Sequence, residues 1–459
     1  MKKIMIRVLL VMLALIIGYL VFNQIDARPN PSKLGAPPAP APESFDKSNG
    51  YYRLWTLIEP KDVDIETDAA ILPYRRLADP AFDNDRYIKE FNHAWKEARK
   101  NYQHPEKLKP AFDVMKFKGD WRSSLSPFRE QLTAAAEEYG FMLARYEKLI
   151  NCETFIDFTL IRFDFPIPHL LAWLHTAKLS IALDIMTARN GNSPEAVAHL
   201  LRHLHFAVKV IPNSRTLITN LVSKAVARLA IWALNDIMNQ KDCPPDVYQT
   251  VLDGTPTLAY EAFGSRFPFE CETYWFSEIT ESDQSAGNWL SVVKNKLLFQ
   301  ENRTRNIRVP FMEGIIRYEE TPPRLWNEDI QELPRQAQGA FWWLQNPLGK
   351  KRLDDEKSEN FVAVVYKSWA LKAWHDMLHI AADLHRSYDP TRPIQSQFND
   401  LPSYRELLDP CSGKPYIWNE AKQVLYSIGI DRRDNQGDTR DYQAWQDSDY
   451  ALPVIMFVR

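Results

Sequence analysis

The stretch from Pro168 to Gln240 decides the fold: PHLLAWLHTAKLSIALDIMTARNGNSPEAVAHLLRHLHFAVKVIPNSRTLITNLVSKAVARLAIWALNDIMNQ. Its first part, Pro168 to Arg189, places Leu171, Leu174, Leu179 and Leu183 at helical spacing. The turn Asn190-Gly191-Asn192-Ser193-Pro194 ends that helix. Gly191 suits the left-handed C-cap, and Ser193 with Pro194 suits an N-cap followed by an N1 proline. A second helix is predicted from Pro194 to Ile211, and Pro212-Asn213-Ser214 closes it. Ser214 is then placed to cap a third helix reaching Gln240. Connections this short force consecutive helices to run antiparallel.

The helix pair resembles a tetratricopeptide-like hairpin, although no fixed period recurs along the chain. Working outward, Tyr87, Ile88, Phe91 and Trp95 predict an amphipathic helix over 85–102, and another is expected over 127–150. Residues 244–350 read as less regular, with aromatic strings at Phe267 to Phe276 and Phe341 to Leu344 between polar loops. A long helix is predicted from Phe361 to Tyr388. After it come short strands at Tyr416 to Trp418, Val424 to Ile428 and Leu452 to Val458. The expected fold is mainly α: antiparallel helical hairpins in a bundle or short solenoid, with a small C-terminal β-meander.

The N-terminus carries a different signal. Lys2, Lys3 and Arg7 precede fifteen uncharged residues, Val8 to Phe22. Those span about 22 Å as a helix, and starting at Ile4 lengthens the helix to about 28 Å. That matches a hydrocarbon core if Arg7 snorkels to the headgroups. The positive flank belongs in the cytoplasm, so the bulk is expected in the periplasm. Ile25-Asp26-Ala27 is a poor cleavage site because Ile25 is not small. An uncleaved, single-pass inner-membrane anchor is the reading. Residues Ala27 to Gly50 hold six prolines and predict an extended spacer. The organisation is therefore 1–26 stub and anchor, 27–50 linker, 51–400 helical ectodomain and 401–459 β module.

Composition is that of a globular chain: 459 residues, 45% hydrophobic and 25% charged. The net charge of −3 offers no basic face for nucleic acid. Cys152, Cys243, Cys271 and Cys411 include no C-x-x-C pair, which excludes a zinc ribbon. In an exported protein the four permit either two disulfides or four buried thiols.

The tail Asp409-Pro410-Cys411-Ser412-Gly413-Lys414-Pro415, followed by Val424-Leu425-Tyr426-Ser427-Ile428-Gly429-Ile430-Asp431, resembles the C-terminal module of uncharacterised exported bacterial proteins. The opening Asn49-Gly50-Tyr51-Tyr52, with Asp62 and Asp64 beyond it, resembles that of proteobacterial envelope proteins. The tail is also similar to the C-terminal hairpin of type II secretion major pseudopilins, whose loop folds around calcium. That resemblance implies Asp431, Asp447 and Asp449 as calcium ligands, and closely spaced carboxylates suit the ion. The chain departs from the pattern at Arg432, where a glycine is usual, and at Cys411, where an aromatic is usual. It has no pilin N-terminus, so the likeness is confined to the terminal module.

Two histidine groups draw attention. His199 and His203 are four apart on one helix, a zinc-compatible spacing, with His205 beyond. His375, Asp376 and His379 form H-D-x-x-H, with His385 following. Asp376 there is one methylene shorter than the glutamate that a zincin uses as its base. Glu270, Glu272, Glu278, Glu281 and Asp283 cluster near Tyr274 and Trp275, as a glycosidase would need. Glu272 and Glu281 are the catalytic candidates of that reading. No nucleotide-binding or nucleophile-elbow motif is present. The leading expectation is a tethered periplasmic binding or scaffold protein with an envelope protein as partner. An envelope glycan hydrolase and a zinc hydrolase on His375 and His379 are the alternatives.

Overall fold

The computed structural model describes residues 37–38, 40–41, 44–78, 129–160, 165–274, 299–326, 359–438 and 449–455, with isolated positions between. The expected anchor (apart from Tyr19), the 85–102 helix (apart from Ile88, Phe91 and His93) and the Phe341 to Leu344 string lie outside the described residues.

The chain is mainly helical with a small antiparallel sheet near its C-terminal end. The entry segment is built first. Phe45 is buried edge-on against Phe158 and Tyr52. Asn49 caps helix α1 (Gly50–Thr56) by accepting from the Tyr51 N–H at 3.0 Å. Gly50 is required there, because a Cβ would sit 2.8 Å from the Phe206 ring. Residues 44–49, read from the sequence as the end of the linker, thus fold onto the bundle. Helix α2 (Asp68–Ala78) follows.

The single helix expected over 127–150 is two helices, α3 (Arg129–Glu138) and α4 (Gly140–Ile150), broken at Tyr139 (φ −101°, ψ 17°). The deciding stretch folds as α5 (Leu170–Arg189), α6 (Ser193–Asn213) and α7 (Leu217–Met238), which pack on one another. Gly191 takes the left-handed conformation, φ +95°. Two caps differ from expectation. Thr216, not Ser214, caps α7 by accepting from the Thr219 N–H at 3.1 Å. Ser214 instead donates to the Ile211 carbonyl, and Asn192, not Ser193, is the N-cap residue of α6. Helices α5 and α7 are long and apolar enough to cross a membrane, yet two thirds of each apolar window is buried inside the bundle.

Helix α8 (Pro245–Gly254) comes next. The region read as irregular also holds a twenty-residue helix, α9 (Glu301–Glu320), with Pro310 inside it. Helix α10 (Glu359–Ser387) packs on α7, α8 and α9, and short helices α11 (Ile394–Asp400) and α12 (Pro402–Glu406) lead out.

The sheet has order β1-β2-β3, from Ile417–Asn419, Val424–Ser427 and Tyr450–Pro453. Leu425 pairs with both Trp418 and Leu452. It does not stand apart from the helices. Asn235 of α7 and Asn239, its C-cap, each donate to the Pro453 carbonyl at 2.9 Å, and buried side chains run continuously from the bundle into the sheet. All four cysteines are free, buried thiols, so the disulfide alternative gives way to the reduced one.

Candidate functional site

The most convergent set of ligand-type side chains among the described residues is Asp184, His199 and His203, whose candidate atoms lie within 4.8 Å of one another. Three helices build it. His199 and His203 sit one turn apart on α6, Asp184 comes from α5, and Tyr146 and Glu147 stand behind them on α4. His199 Nδ1 is 2.6 Å from Asp184 Oδ1, and its Nε2 is 2.6 Å from Glu147 Oε2. Arg202 Nη2 donates to the other Glu147 oxygen at 3.0 Å. His203 Nδ1 meets the Tyr146 hydroxyl at 2.7 Å. Its Nε2 lies 3.3 Å from Ser180 Oγ and 3.4 Å from Asp184 Oδ2. That Asp184 oxygen is buried and makes no hydrogen bond.

The two imidazoles are opposed in charge preference. Burial lowers the pKa of both, but at His199 the Asp184 and Glu147 carboxylates outweigh it and the net shift is upward. At His203 burial wins and the shift is downward. His199 is thus held between two carboxylates, one at each ring nitrogen. The spacing of His199 and His203 was legible in the sequence. Asp184, Glu147 and Tyr146 were not singled out, although Asp184 is the one charge between Lys178 and Arg189.

A second buried polar network was not foreseen. The Lys224 ammonium on α7 donates to Ser265 Oγ and, at 2.5 Å, to Ser368 Oγ on α10. Glu319 on α9 accepts from Ser368 Oγ at 2.9 Å and from the Ser265 N–H. Ser265 also donates to Asn220 Oδ1 at 3.0 Å. Burial pushes the Lys224 pKa down to about 8 and raises that of Glu319. The network joins three helices well below the surface, with Ser265 and Ser368 wholly covered.

The H-D-x-x-H residues part company. His375 is buried with its ring near Phe263 and its Nδ1 3.9 Å from Asp376 Oδ1. Burial lowers its pKa. The Asp376 carboxylate is held by Lys372 at 2.6 Å and by the Tyr416 hydroxyl at 3.1 Å. His379 Nδ1 is 2.6 Å from the Thr255 carbonyl, and His385 stacks on Tyr248. Asp376 thus ties α10 to the start of the C-terminal module.

Of the carboxylate cluster, Glu270 pairs with Arg266 at 2.9 Å and Glu272 is half-buried. Trp275, Glu278, Glu281 and Asp283 lie outside the described residues, as does Asp447. In the C-terminal loop, Asp431 accepts from the Arg433 N–H at 3.1 Å. Asp449 Oδ2 accepts from the Gly437 N–H at 2.7 Å, and burial raises its pKa to about 6. The tail motif itself is a staple. Asp409 Oδ1 accepts from the Cys411 N–H (2.9 Å) and Ser427 Oγ (2.7 Å), and Oδ2 accepts from the Ser412 N–H (3.2 Å). One carboxylate therefore fastens the turn to β2.

Comparisons with family models, curated proteins and solved structures find no match to the chain.

Proposed function

We propose that the chain is a membrane-tethered binding or scaffold protein of the bacterial cell envelope, its bundle held outside the inner membrane by the N-terminal anchor. The observation that carries this reading is where the tether meets the bundle. The buried Arg215, between α6 and α7, donates to the Pro38 carbonyl at 2.6 Å. Asp157 locks the same corner by accepting from the Arg215 N–H at 2.7 Å. Pro38 lies sixteen positions beyond Phe22, so an extended tether would reach about 50 Å. The tether then leaves the bundle at the corner bearing Arg215.

That corner also bears exposed apolar side chains. Helices α5 and α7 both begin there, and Ile156, Leu171 and Ile218 are 37%, 47% and 49% exposed. An envelope protein standing beside the anchor would meet this surface first.

The test is crosslinking of the tagged, full-length protein in its native cells, followed by purification of the membrane fraction. One stoichiometric envelope partner, captured by the wild type and lost with L171E/I218E, supports the reading. Capture indifferent to that variant refutes it, as does cleavage of cell-wall glycan by the purified protein.

A further inference from the structure

We infer that Asp184, His199 and His203 form a binding site for one divalent transition-metal ion, zinc by chemical class, inside the helical bundle. The donors are two imidazoles and one carboxylate, the nitrogen and oxygen set that zinc accepts at tetrahedral distances. His199 Nδ1 and His203 Nε2 both face Asp184, at 2.6 Å from Oδ1 and 3.4 Å from Oδ2. The two rings stand 4.8 Å apart, nearly perpendicular. Asp184 Oδ2 is a buried carboxylate oxygen without a hydrogen bond, directed at this space.

The decisive feature lies behind the ligands. A metal-binding imidazole gives its other nitrogen to a carboxylate, carbonyl or hydroxyl, which fixes its tautomer and orientation. Both rings have that support. Glu147 takes His199 Nε2 at 2.6 Å, and Tyr146 takes His203 Nδ1 at 2.7 Å. Arg202 holds Glu147 in turn at 3.0 Å. Metal entry displaces the Nδ1 proton of His199, which leaves to solvent, and the 2.6 Å contact with Asp184 Oδ1 opens to about 3.3 Å to admit the ion. Three protein ligands leave a fourth position for water or for the nearby Ser180 hydroxyl, which lies 3.3 Å from His203 Nε2. The ion would then pin α5 to α6, with α4 braced behind. This site is independent of the tether and its partner surface.

The test uses the purified full-length protein in detergent, stripped with chelator and titrated with Zn²⁺ and with Co²⁺. The wild type is expected to bind about one equivalent of Zn²⁺ and to give Co²⁺ the intense visible absorption of a four-coordinate site. H199Q/H203Q should abolish binding, and D184N should weaken it at least about tenfold. E147Q, which removes only the support of His199, should weaken it roughly 10–100-fold. H205Q, on an exposed histidine of the same helix, should leave it unchanged. Absence of saturable Zn²⁺ binding by the folded wild type overturns the inference, as does a weak six-coordinate Co²⁺ spectrum. Equal loss of binding in H205Q overturns it too. Should the double variant fail to fold, the wild-type Co²⁺ spectrum together with E147Q and H205Q decides.

Discussion

Replacing Lys224 by methionine removes a charge from a deeply covered network. Lys224 is 4% exposed and Glu319 is 1% exposed, and Ser265 and Ser368 bridge them. Each ion is tolerated there only because the other is present. With Lys224→Met, the Glu319 carboxylate keeps two hydrogen-bond donors but loses its counter-charge. Breaking a buried pair from one side costs about 3–5 kcal/mol. With an unfolding entropy of roughly 2.1 cal/mol/K per residue over about 350 residues, the thermal midpoint should fall by about 5 °C. Urea unfolding followed by tryptophan fluorescence would measure the same loss. The pH dependence has a fixed sign. Burial already raises the Glu319 pKa, and loss of Lys224 raises it further. A carboxyl with a raised folded pKa contributes stability that is present below its unfolded pKa and lost as pH rises through the folded one. K224M should therefore be weakest at neutral pH and recover toward acid. Adding Glu319→Gln removes the orphaned charge and should restore at least half of the loss. Stability of K224M equal to wild type, or a double variant worse than K224M, would refute the coupling.

Three further outcomes follow from single residues. Glu66 receives Arg53 at 2.6 and 3.0 Å and Lys148 at 2.9 Å, and Arg53 above all lowers its pKa to about 2. Its stabilisation is present above pH 4.5 and lost as pH falls through about 2. Thermal melts across pH should show E66Q less stable than wild type at neutral pH, by less than about 1 kcal/mol because the pair is partly solvated, and equal to it in strong acid. Asp409→Ala strips three hydrogen bonds from a buried turn and should cost about 3–4 kcal/mol by urea unfolding, with hydrogen exchange accelerating first in β2. Asp449, raised from 3.8 to about 6, ionises at neutral pH at a cost of roughly 3 kcal/mol, since each pKa unit is 1.36 kcal/mol. That cost is absent below pH 3.8 and complete above about 6. Asp449→Asn should therefore raise the metal-free midpoint at pH 7. If the C-terminal loop holds calcium through Asp449, millimolar calcium should raise the midpoint of the wild type and leave D449N unmoved.

The deciding stretch was legible because its punctuation is local. Gly191 and the following Pro194 act on their own backbone, so the α5–α6 turn could be read from five residues. Helix α9 was hidden for the converse reason. Its sequence, ENRTRNIRVPFMEGIIRYEE, carries eight charges, a proline and a glycine, so no apolar stripe announces it, and packing against α10 overrides its weak local preference. The interior sites follow the same division. Two histidines four apart advertise a shared face, yet at 199 and 203 that face meets Asp184, whereas at 375 and 379 it meets Phe263 and the Thr255 carbonyl. Spacing along one helix is identical in the two cases, and what differs is the element packed opposite. Asp184 in LSIALDIM and Lys224 in NLVSKAVARL each interrupt an apolar run. Burying such a charge without a partner is costly enough that each guaranteed a partner somewhere in the fold. Which partner it was depends on contacts across α4, α6, α9 and α10, at sequence separations that no window along a single helix contains.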